Sequence, residues 1–334
     1  MTDTKPGPSK PGPSKPGSSK PGSSKPGGET LRNPRILLIH NPTAGRGRGR
    51  LQTTLARLRS LGSVPEVWAT ARRGEAEALA HAAVERGYDL VVAAGGDGTV
   101  NEVVNGLAGS GLAGSALPLA LLPLGTANVL ATEIGLDLAP DALAETVLHG
   151  TPVDVCLGRI RGADGAERLF TTMAGAGADA HAVASVDLVG KKLLGTGAYY
   201  AEMARQLLVF PFPNYRITVD GATYDAASVV VSNGRYYAGQ YVLAPKASLA
   251  EPSFQVCLFE RGGRLAALRY VMAMQMDRLA EEPDYRIVTG RKVRVEGPEG
   301  DPVQADGDIV AALPVDIEIV PGALRLLMPA PAIP

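Results

Sequence analysis

The chain has 334 residues, 45% of them hydrophobic and 20% charged, and a formal net charge of −1. This composition is typical of a folded globular protein, and at roughly 150 residues per domain the length favours two domains. The near-zero charge argues against nucleic-acid binding driven by bulk positive charge, and no apolar run reaches the ~18 residues of a membrane-spanning helix. Two cysteines are too few for a disulfide scaffold, and the lysine-containing N-terminus lacks the apolar core of a signal peptide. We therefore expect a cytoplasmic protein with no nucleic-acid partner and no transmembrane segment.

Residues 1–30 differ in composition from the rest of the chain. Lysines recur every five residues from Lys5 to Lys25, and each is followed by Pro-Gly. Proline and glycine without large apolar side chains cannot offset the entropy that is lost on ordering. This segment is therefore predicted to be a disordered tail. Its widely spaced lysines favour a solubilising spacer over attraction to an anionic membrane.

Residues 34–150 alternate between short apolar runs and segments of helical spacing. Strands are predicted at the apolar runs 35–39, 89–94 and 119–122, with a further short strand at 67–68. Helices are predicted where apolar residues recur every three or four positions or alanine is abundant, at 51–58, 74–86, 100–107 and 140–148. The alternation predicts an α/β domain with a Rossmann-like, doubly wound parallel sheet.

Residues 151–320 are predicted to form a second domain that is mostly β. Alternating apolar residues and turn signals predict strands at 153–157, 215–219, 229–231, 254–258, 287–288, 293–295 and 317–320, and one further strand at 324–327 in the segment that follows. Helices are expected at 198–209 and 265–279. The spacing of an apolar stripe on the second helix favours an ordinary core face, although its methionines would also suit acyl chains. The stripe consists of Leu265, Leu268, Met272, Met276 and Leu279.

Polar or glycine-rich segments follow three of the predicted strands in the first domain, at residues 41–45, 95–99 and 123–128. In doubly wound sheets, ligands bind beyond the carboxyl ends of the strands. Glycine lets backbone N–H groups approach phosphate oxygens, and a helix N-terminus behind the loop adds partial positive charge. Each segment alone could be a tight turn, but three at successive strand ends predict a phosphate-binding site. The chain has neither a Walker-type loop nor a dinucleotide fingerprint.

The side chains of these three segments suit a nucleotide. Asn41, Thr99 and Thr126 can hydrogen-bond phosphate or ribose, and Asp97 can hold Mg²⁺ directly or through water. Positive charge near the phosphates could come from three nearby arginines, Arg46, Arg48 and Arg50.

The second segment belongs to a longer motif. Residues 95–102 read Gly-Gly-Asp-Gly-Thr-Val-Asn-Glu, which resembles the signature of the diacylglycerol kinase catalytic-domain family. That family includes bacterial lipid kinases and the sphingosine and ceramide kinases. Asn41-Pro42, residues 123–128 and residues 177–180 match its other motifs in order and spacing, so that the resemblance covers residues 35–328.

The resemblance implies a lipid kinase with ATP and Mg²⁺ as cofactors. It implies a nucleotide-binding domain at 34–150, a β-sandwich lipid-substrate domain at 151–320 across a cleft, and a C-terminal segment, 321–334, that returns to the first domain. The residues it assigns to nucleotide binding are Asn41, Pro42, Thr43, Ala44, Gly45, Thr70, Gly95, Gly96, Asp97, Gly98, Thr99, Val100, Asn101 and Thr126.

Two carboxylates that flank a glycine, Asp306 and Asp308, are the catalytic candidates. Phosphoryl transfer to an alcohol needs a proton acceptor near the hydroxyl, together with charge neutralisation and positioning. From these residues alone, a solvated β-turn is slightly favoured over a catalytic role. The resemblance favours a catalytic role over a solvated turn, because the family has Asp-Gly-Glu here and its glutamate is the usual proton acceptor. Asp308 stands in the place of that glutamate, and Asp306 is kept as the second candidate.

A second departure from the family concerns metal binding. After residues 244–247 the family usually has an Asp-Asp-Gly turn, which binds a structural Mg²⁺ in bacterial members. Here Glu251 keeps one carboxylate, and Pro252 fixes φ where the family has glycine. The metal candidates are therefore Asp97 in the nucleotide loop and, in this turn, Ser248, Glu251 and the carbonyl of Ser253.

The leading hypothesis is a kinase that transfers the γ-phosphoryl group of ATP to the hydroxyl of diacylglycerol. Ceramide, a sphingoid base or phosphatidylglycerol are alternative acceptors, and NAD kinases carry a similar Gly-Gly-Asp-Gly-Thr loop. A catalytically weak lipid-binding or regulatory protein is the alternative outside enzymes, and it rests on the altered residues Asp308 and Glu251-Pro252. A lipid acceptor implies peripheral association with a membrane surface. A homodimer is compatible with the sequence.

Overall fold

The computed structural model describes residues 1–2, 34–43, 47–108, 117–189 and 210–330, with residues 185–189 described as backbone only. The helices are α1 (Arg48–Ser60), α2 (Glu75–Glu85), α3 (Asp97–Ala108), α4 (Val129–Glu133), α5 (Pro140–His149), α6 (Ala178–Val189) and α7 (Arg264–Gln275), and a 3₁₀ turn (Leu279–Glu281) follows α7. The strands are β1 (Ile36–His40), β2 (Glu66–Ala69), β3 (Leu90–Gly95), β4 (Leu119–Pro123), β5 (Thr151–Gly162), β6 (Glu167–Phe170), β7 (Met173–Ala176), β8 (Tyr215–Val219), β9 (Ala222–Ala226), β10 (Ser228–Ser232), β11 (Tyr236–Tyr237), β12 (Tyr241–Val242), β13 (Phe254–Phe259), β14 (Tyr285–Gly290), β15 (Lys292–Glu296), β16 (Pro302–Ala305), β17 (Asp308–Ala312) and β18 (Val315–Met328). The predicted tail, beyond residues 1–2, and the predicted helix at 198–209 lie outside the described residues.

Strands β1 to β4 form a parallel sheet in the order β2-β1-β3-β4. Alternate residues of β1 face opposite sides of it. Leu37 and Ile39 pack with α2 and α3, while Ile36 and Leu38 pack with α1 and α5. Helices therefore cover both faces, which confirms the predicted doubly wound α/β domain. The four strands agree with the sequence prediction to within one residue at each end, whereas α4 was not predicted.

Two long strands, β5 and β18, extend this sheet into the second domain. They pair antiparallel along almost their whole length, with an irregularity between Val320 and Leu324. Beyond this irregularity, Leu326 pairs in parallel with Leu119 of β4. Before it, β18 pairs antiparallel with β15, which continues to β8 and β9. One pair of strands is thus shared by the parallel sheet of the first domain and the first layer of the second domain.

The second layer is an antiparallel sheet in the order β14-β13-β10-β7-β16-β17. Apolar residues of the two layers form a common core that includes Phe170, Tyr215 and Phe254, all of which are fully buried. The second domain is therefore a β-sandwich, as the family resemblance implied. Within the described residues, no helix combines the length and the apolar character that crossing a membrane requires.

Helix α7 packs on the outside of the second layer, and it does so through the opposite face from the one predicted. The residues that it buries are Ala266, Ala267, Tyr270 and Ala273. The predicted core stripe is wrong for its first four members, which are exposed, and only Leu279 in the 3₁₀ turn is buried. Alanines let the helix lie close to the sheet. Helical spacing alone does not distinguish this small-residue face from the face with larger apolar side chains.

Candidate active site

The loops that follow β3 and β4 touch each other backbone to backbone. A Cβ atom added to Gly125 would lie 2.6 Å from the Cα atom of Gly96, and one added to Gly96 would lie 3.2 Å from the Cα atom of Gly125. Gly95 is equally constrained, because its added Cβ would lie 2.4 Å from the Thr99 hydroxyl oxygen. These glycines allow the two loops to meet at the carboxyl ends of adjacent strands, where α3 begins. The N-terminus of α3 directs its partial positive charge to this point.

Asp97, the first residue of α3, clamps the second loop. Its Oδ2 accepts the N–H of Asn128 at 2.9 Å, and its Oδ1 accepts the N–H of Val129 at 2.6 Å. Burial raises the pKa of the Asp97 carboxyl, with the Val129 N–H opposing this effect and the charge of Asp306 adding to it. The two carboxylate oxygens therefore satisfy the N–H of the residue before α4 and the first N–H of the helix itself. The predicted Mg²⁺-binding role of Asp97 stays a prediction.

Asn128 closes the same loop from the other side. It adopts a left-handed backbone, with φ of 47°, which asparagine tolerates better than most residues. Its side chain accepts the N–H of Gly125 at 2.9 Å and donates to the carbonyl of Gly125 at 3.0 Å. Thr126, between these two residues, is exposed and available to a ligand. Sequence reasoning included Asn128 in the loop but not among the candidate site residues.

The loop after β1 lies next to the same helix terminus. Asn41 donates to the Thr99 hydroxyl at 3.4 Å, and its Oδ1 accepts the N–H and the hydroxyl of Thr43 at 2.9 and 2.8 Å. Thr70 donates its N–H to the carbonyl of His40 at 2.9 Å, so that the end of β2 joins the end of β1. Pro42 is half-buried. Ala44, Gly45 and Arg46 lie outside the described residues.

Two of the residues assigned to nucleotide binding, Val100 and Asn101, have side chains that are buried away from the glycine-rich loops. Val100 is buried in the core beneath the sheet. Asn101 is also buried, and it donates to the Leu169 carbonyl at 3.1 Å and to Asp306 Oδ2 at 3.0 Å. Its Oδ1 accepts both Nε and an Nη of Arg168. Asn101 therefore joins α3 to the second domain.

Asp306 accepts hydrogen bonds from six donors. The hairpin turn between β16 and β17 holds it at φ 47°, followed by Gly307 at φ 84°, and positive values at both positions are typical of a type I′ turn. Five of the donors belong to residues 171–173, namely the N–H groups of Thr171, Thr172 and Met173 at 2.7, 2.9 and 3.2 Å and the two threonine hydroxyls at 2.9 and 2.8 Å. Asn101 supplies the sixth. The carboxylate is saturated by protein groups.

Asp308 has a different environment, although it lies in the same hairpin. A Cβ added to Gly98 would lie 3.4 Å from its Oδ2, which puts the carboxylate directly over the first turn of α3. Its Oδ1 lies 3.4 Å from an Nη of Arg73, a residue of the loop between β2 and α2. The Asp308 side chain is 22% exposed. Of the two catalytic candidates, Asp308 is the one that faces the glycine-rich loop.

A half-buried acid that sequence reasoning did not place among the candidate site residues lies behind this hairpin. Asp179, at the start of α6, accepts the hydroxyl of Tyr237 and, at 2.7 Å, the side-chain N–H of Gln304. The other end of the Gln304 amide accepts the N–H of Gly307 at 3.0 Å. Burial raises the pKa of the Asp179 carboxyl against the opposing effect of its two hydrogen bonds. The signal for this residue was its place in the 177–180 motif.

Glu133, at the end of α4, makes a second connection that sequence reasoning missed. It is buried, and its carboxylate accepts the N–H of Arg235 at 2.7 Å, the N–H of Tyr236 at 3.2 Å and the Nε of Arg235 at 3.1 Å. The helix that Asp97 caps is thereby fastened to the end of the loop after β10 and to the start of β11. A lone glutamate in a short helical segment gives no sequence signal for this role.

The turn at residues 248–253 is closed by its own backbone. Glu251 donates its N–H to the Ser248 carbonyl at 3.0 Å, and Ser253 donates to the Glu251 carbonyl at 2.8 Å. The Leu249 carbonyl accepts the N–H of Cys156 at 2.7 Å, which anchors the turn on β5. Among the described residues, no three His, Cys, Asp or Glu side chains come together as a metal site would require. The predicted metal site in this turn stays a prediction.

Arg50, one of the arginines proposed to face phosphate, donates to the Pro123 carbonyl at 2.7 Å. It therefore fastens α1 to the end of β4, at the edge of the loop region.

Comparison with known proteins agrees with this arrangement. The family model for the diacylglycerol kinase catalytic domain matches residues 35–160, and the model for the YegS C-terminal NAD kinase beta sandwich-like domain matches residues 172–328. A diacylglycerol kinase from Mycobacterium tuberculosis (strain CDC 1551 / Oshkosh) is 30% identical over 309 residues, covering 88% of this chain and 95% of the relative. A diacylglycerol kinase from Bacillus subtilis (strain 168) is 28% identical over 303 residues, covering 88% and 96%. The crystal structure of a diacylglycerol kinase from Bacillus anthracis str. Sterne superposes with a TM-score of 0.70 at 25% identity, covering 90% of this chain and 98% of that one.

Proposed function

Because the chain belongs to the diacylglycerol kinase catalytic-domain family and is a lipid kinase, we propose that its reaction is transfer of the γ-phosphoryl group of ATP to the hydroxyl of diacylglycerol. Relatives that bear this name align over most of both chains, which favours diacylglycerol over ceramide, sphingoid bases and phosphatidylglycerol. The same alignments favour a lipid acceptor over NAD. The observation that carries the proposal is the position of Asp308 over Gly98, at the point where the two glycine-rich loops meet.

The loops suit the phosphates of ATP. Gly96, Gly98 and Gly125 keep side chains away from the N-terminus of α3, so that phosphate oxygens can approach backbone N–H groups. Exposed Thr126 and half-buried Asn41 are polar groups at the rim of this surface. Bound ATP with Mg²⁺ supplies the phosphoryl group and neutralises its charge. Mg²⁺ commonly uses one or two carboxylates together with the phosphates, and Asp97 and Asp308 are the carboxylates that lie at the first turn of α3.

We assign the proton acceptor to Asp308 and an anchoring role to Asp306. In the proposed step the acceptor hydroxyl oxygen bonds to the γ-phosphorus, the bond to the ADP oxygen breaks, and the hydroxyl proton passes to Asp308. Arg73, which lies 3.4 Å from Asp308, orients that carboxylate and adds positive charge beside the transferred group. Asp306 is unsuited to accept the proton, since six protein donors already occupy its oxygens.

The acceptor lipid lies in a membrane, so we propose that the kinase acts while peripherally bound to a membrane surface. A homodimer stays a prediction.

The proposal is tested by phosphate transfer from γ-labelled ATP with Mg²⁺. Detergent-dispersed diacylglycerol, ceramide, sphingosine and phosphatidylglycerol are each offered, with NAD in a parallel reaction. We expect label in diacylglycerol at a kcat/KM at least tenfold above that for any other acceptor. Preferred labelling of another lipid would show that diacylglycerol is not the preferred acceptor, and the chain would still be a lipid kinase. Transfer to none of them, with ATP still bound, would support the catalytically weak binding protein.

A further inference from the structure

The outer face of α7 exposes a row of large apolar side chains. Leu265, Leu268, Met272 and Met276 recur at helical spacing on one side, and their exposed fractions are 85%, 55%, 48% and 62%. Single exposed apolar residues are common on protein surfaces, whereas contiguous rows of them usually mark an interaction site. We call these four residues the α7 row.

The α7 row cannot turn inward, because the opposite face of the helix is fixed. Ala266 and Ala273 are buried against the second sheet of the sandwich. Tyr270 donates its hydroxyl to the Asp284 carbonyl at 3.0 Å. Arg269 is paired with Glu282 at 2.7 Å and with Asp284. Exposure of the row is therefore a property of the folded state.

Positive charge lies at the N-terminal end of the α7 row. Arg261 and Arg264 are both exposed, and both come shortly before Leu265, the most exposed member of the row. None of the ion pairs within the described ranges involves either arginine. By contrast, Arg278 at the other end is paired with Glu281 at 2.6 Å. The charge pattern thus favours a partner that presents an apolar layer bordered by negative groups.

The α7 row is also connected to the candidate active site. The hydrophobic cluster under α7 includes Met173 and, at its border, Tyr237. Met173 donates its N–H to Asp306, and Tyr237 donates its hydroxyl to Asp179. One layer of packed side chains therefore separates the helix from the hairpin that carries Asp308.

The α7 row is too small for a stable protein interface. Four side chains of this size, exposed to this extent, present on the order of 500 Å². A standard interface buries about 800 Å² on each partner. An amphipathic helix that lies in the boundary of a bilayer needs only such a stripe, supported by basic residues.

We propose that the α7 row is the surface through which the chain docks on an anionic lipid bilayer. The four apolar side chains enter the boundary of the acyl region, and Arg261 and Arg264 contact the phosphates of the head groups. The inference rests on the proposed function to the extent that the acceptor lipid is presented in a bilayer. The inference identifies which surface of the chain contacts the membrane, and family membership alone does not identify that surface.

The test is binding of the full chain to vesicles in a sedimentation assay. Vesicles of phosphatidylcholine with phosphatidylglycerol are compared with vesicles of phosphatidylcholine alone. The double variant Leu265→Gln, Met272→Gln changes only exposed positions on a helix, and Val64→Gln is the matched control, since Val64 is 77% exposed in the loop between α1 and β2. We expect the double variant to bind anionic vesicles at least tenfold more weakly and Val64→Gln to bind like the unmodified chain. Replacing Arg261 and Arg264 by Gln should weaken binding to anionic vesicles and leave the weak binding to phosphatidylcholine unchanged.

Activity separates this inference from the proposed function. With a short-chain diacylglycerol dissolved as monomers, the double variant should keep its kcat/KM, while its rate on vesicle-borne diacylglycerol falls in step with binding. If the unmodified chain binds vesicles through the row but phosphorylates no lipid, the docking surface stands and the proposed function fails. Unchanged vesicle binding by the double variant would overturn the docking surface. A dimer of the unmodified chain that the double variant dissociates, with vesicle binding unaltered, would assign the row to a second copy instead.

Discussion

Asp306 and Asp308 lie two positions apart in one hairpin, yet their carboxylates meet different groups. Asp306 points to residues 171–173 and Asn101, where six donors hold it. Asp308 points to Gly98 and Arg73 at the N-terminus of α3. Sequence reasoning identified the pair but did not separate its members. The two roles can be told apart only from the donors to Asp306, which are about 135 and 205 residues away from it along the chain.

Replacing Asp306 by Asn should damage the fold rather than the chemistry alone. The amide that takes the place of one oxygen is itself a donor, so that it faces N–H and hydroxyl groups and leaves several of them without an acceptor. The expected loss in the free energy of unfolding is roughly 2–4 kcal/mol.

Urea unfolding measures this loss, with Asp316→Asn as the matched control. Asp316 is exposed and paired with Arg294 on the surface, and such pairs contribute at most about 1 kcal/mol. An Asp306→Asn chain as stable as the control would refute the anchoring role.

At the scale of elements, the site is made by loops that only glycine allows to approach one another. The sequence motifs correctly located the loops at the ends of β1, β3 and β4, because the carboxyl ends of parallel strands share one edge of the sheet. The clamp between Asp97 and the start of α4 could not be predicted in this way. A five-residue helix such as α4 has too few residues to show a hydrophobic period, and the carboxylate that accepts its first N–H belongs to Asp97 of another helix, α3.

Replacing Gly125 by Ala should force the two loops apart. Its methyl group would lie 2.6 Å from the Cα atom of Gly96, and backbone cannot yield as a side chain does. We expect a loss of about 1–3 kcal/mol in stability and about tenfold or more in ATP affinity.

Gly49→Ala in α1 is the matched control for Gly125→Ala. An added Cβ at Gly49 meets nothing within 4 Å, so this change should leave ATP affinity unaltered and should stabilise the helix by up to about 1 kcal/mol. Calorimetric titration with ATP measures the affinities. Equal ATP affinity for the two variants would show that the contact between the loops does not shape the nucleotide site.

At the scale of the whole molecule, β5 and β18 belong to both domains. β18 joins the parallel sheet where Leu326 pairs with Leu119 of β4, and it joins the sandwich where it pairs with β15. β5 pairs with β18 along both parts. Composition and periodicity predicted the two fold classes, because each domain has its own pattern of strands and helices. They did not reveal that one antiparallel pair runs through both, since an uninterrupted strand and two successive strands look alike in sequence.

The shared strands predict that the two domains unfold together. Trp68, the only tryptophan, reports on β2 in the nucleotide domain. Cys156 is buried in the common core of the sandwich and Cys257 under α7, so that their reactivity with a thiol reagent reports on the sandwich. We expect the two probes to give the same midpoint and the same slope in urea. Two separated transitions would mean that the shared strands do not couple the domains.

The most direct test of the account is the turnover number of Asp308 variants with ATP, Mg²⁺ and detergent-dispersed diacylglycerol. Asp308→Asn should lower kcat by about 10²- to 10⁴-fold at unchanged stability, because it removes the proton acceptor and keeps the size of the side chain. Asp308→Glu, which keeps the carboxylate, should retain a substantial part of the activity. An Asp308→Asn chain with the turnover of the unmodified protein would contradict the account and would return the search for the proton acceptor to the other carboxylates of the site.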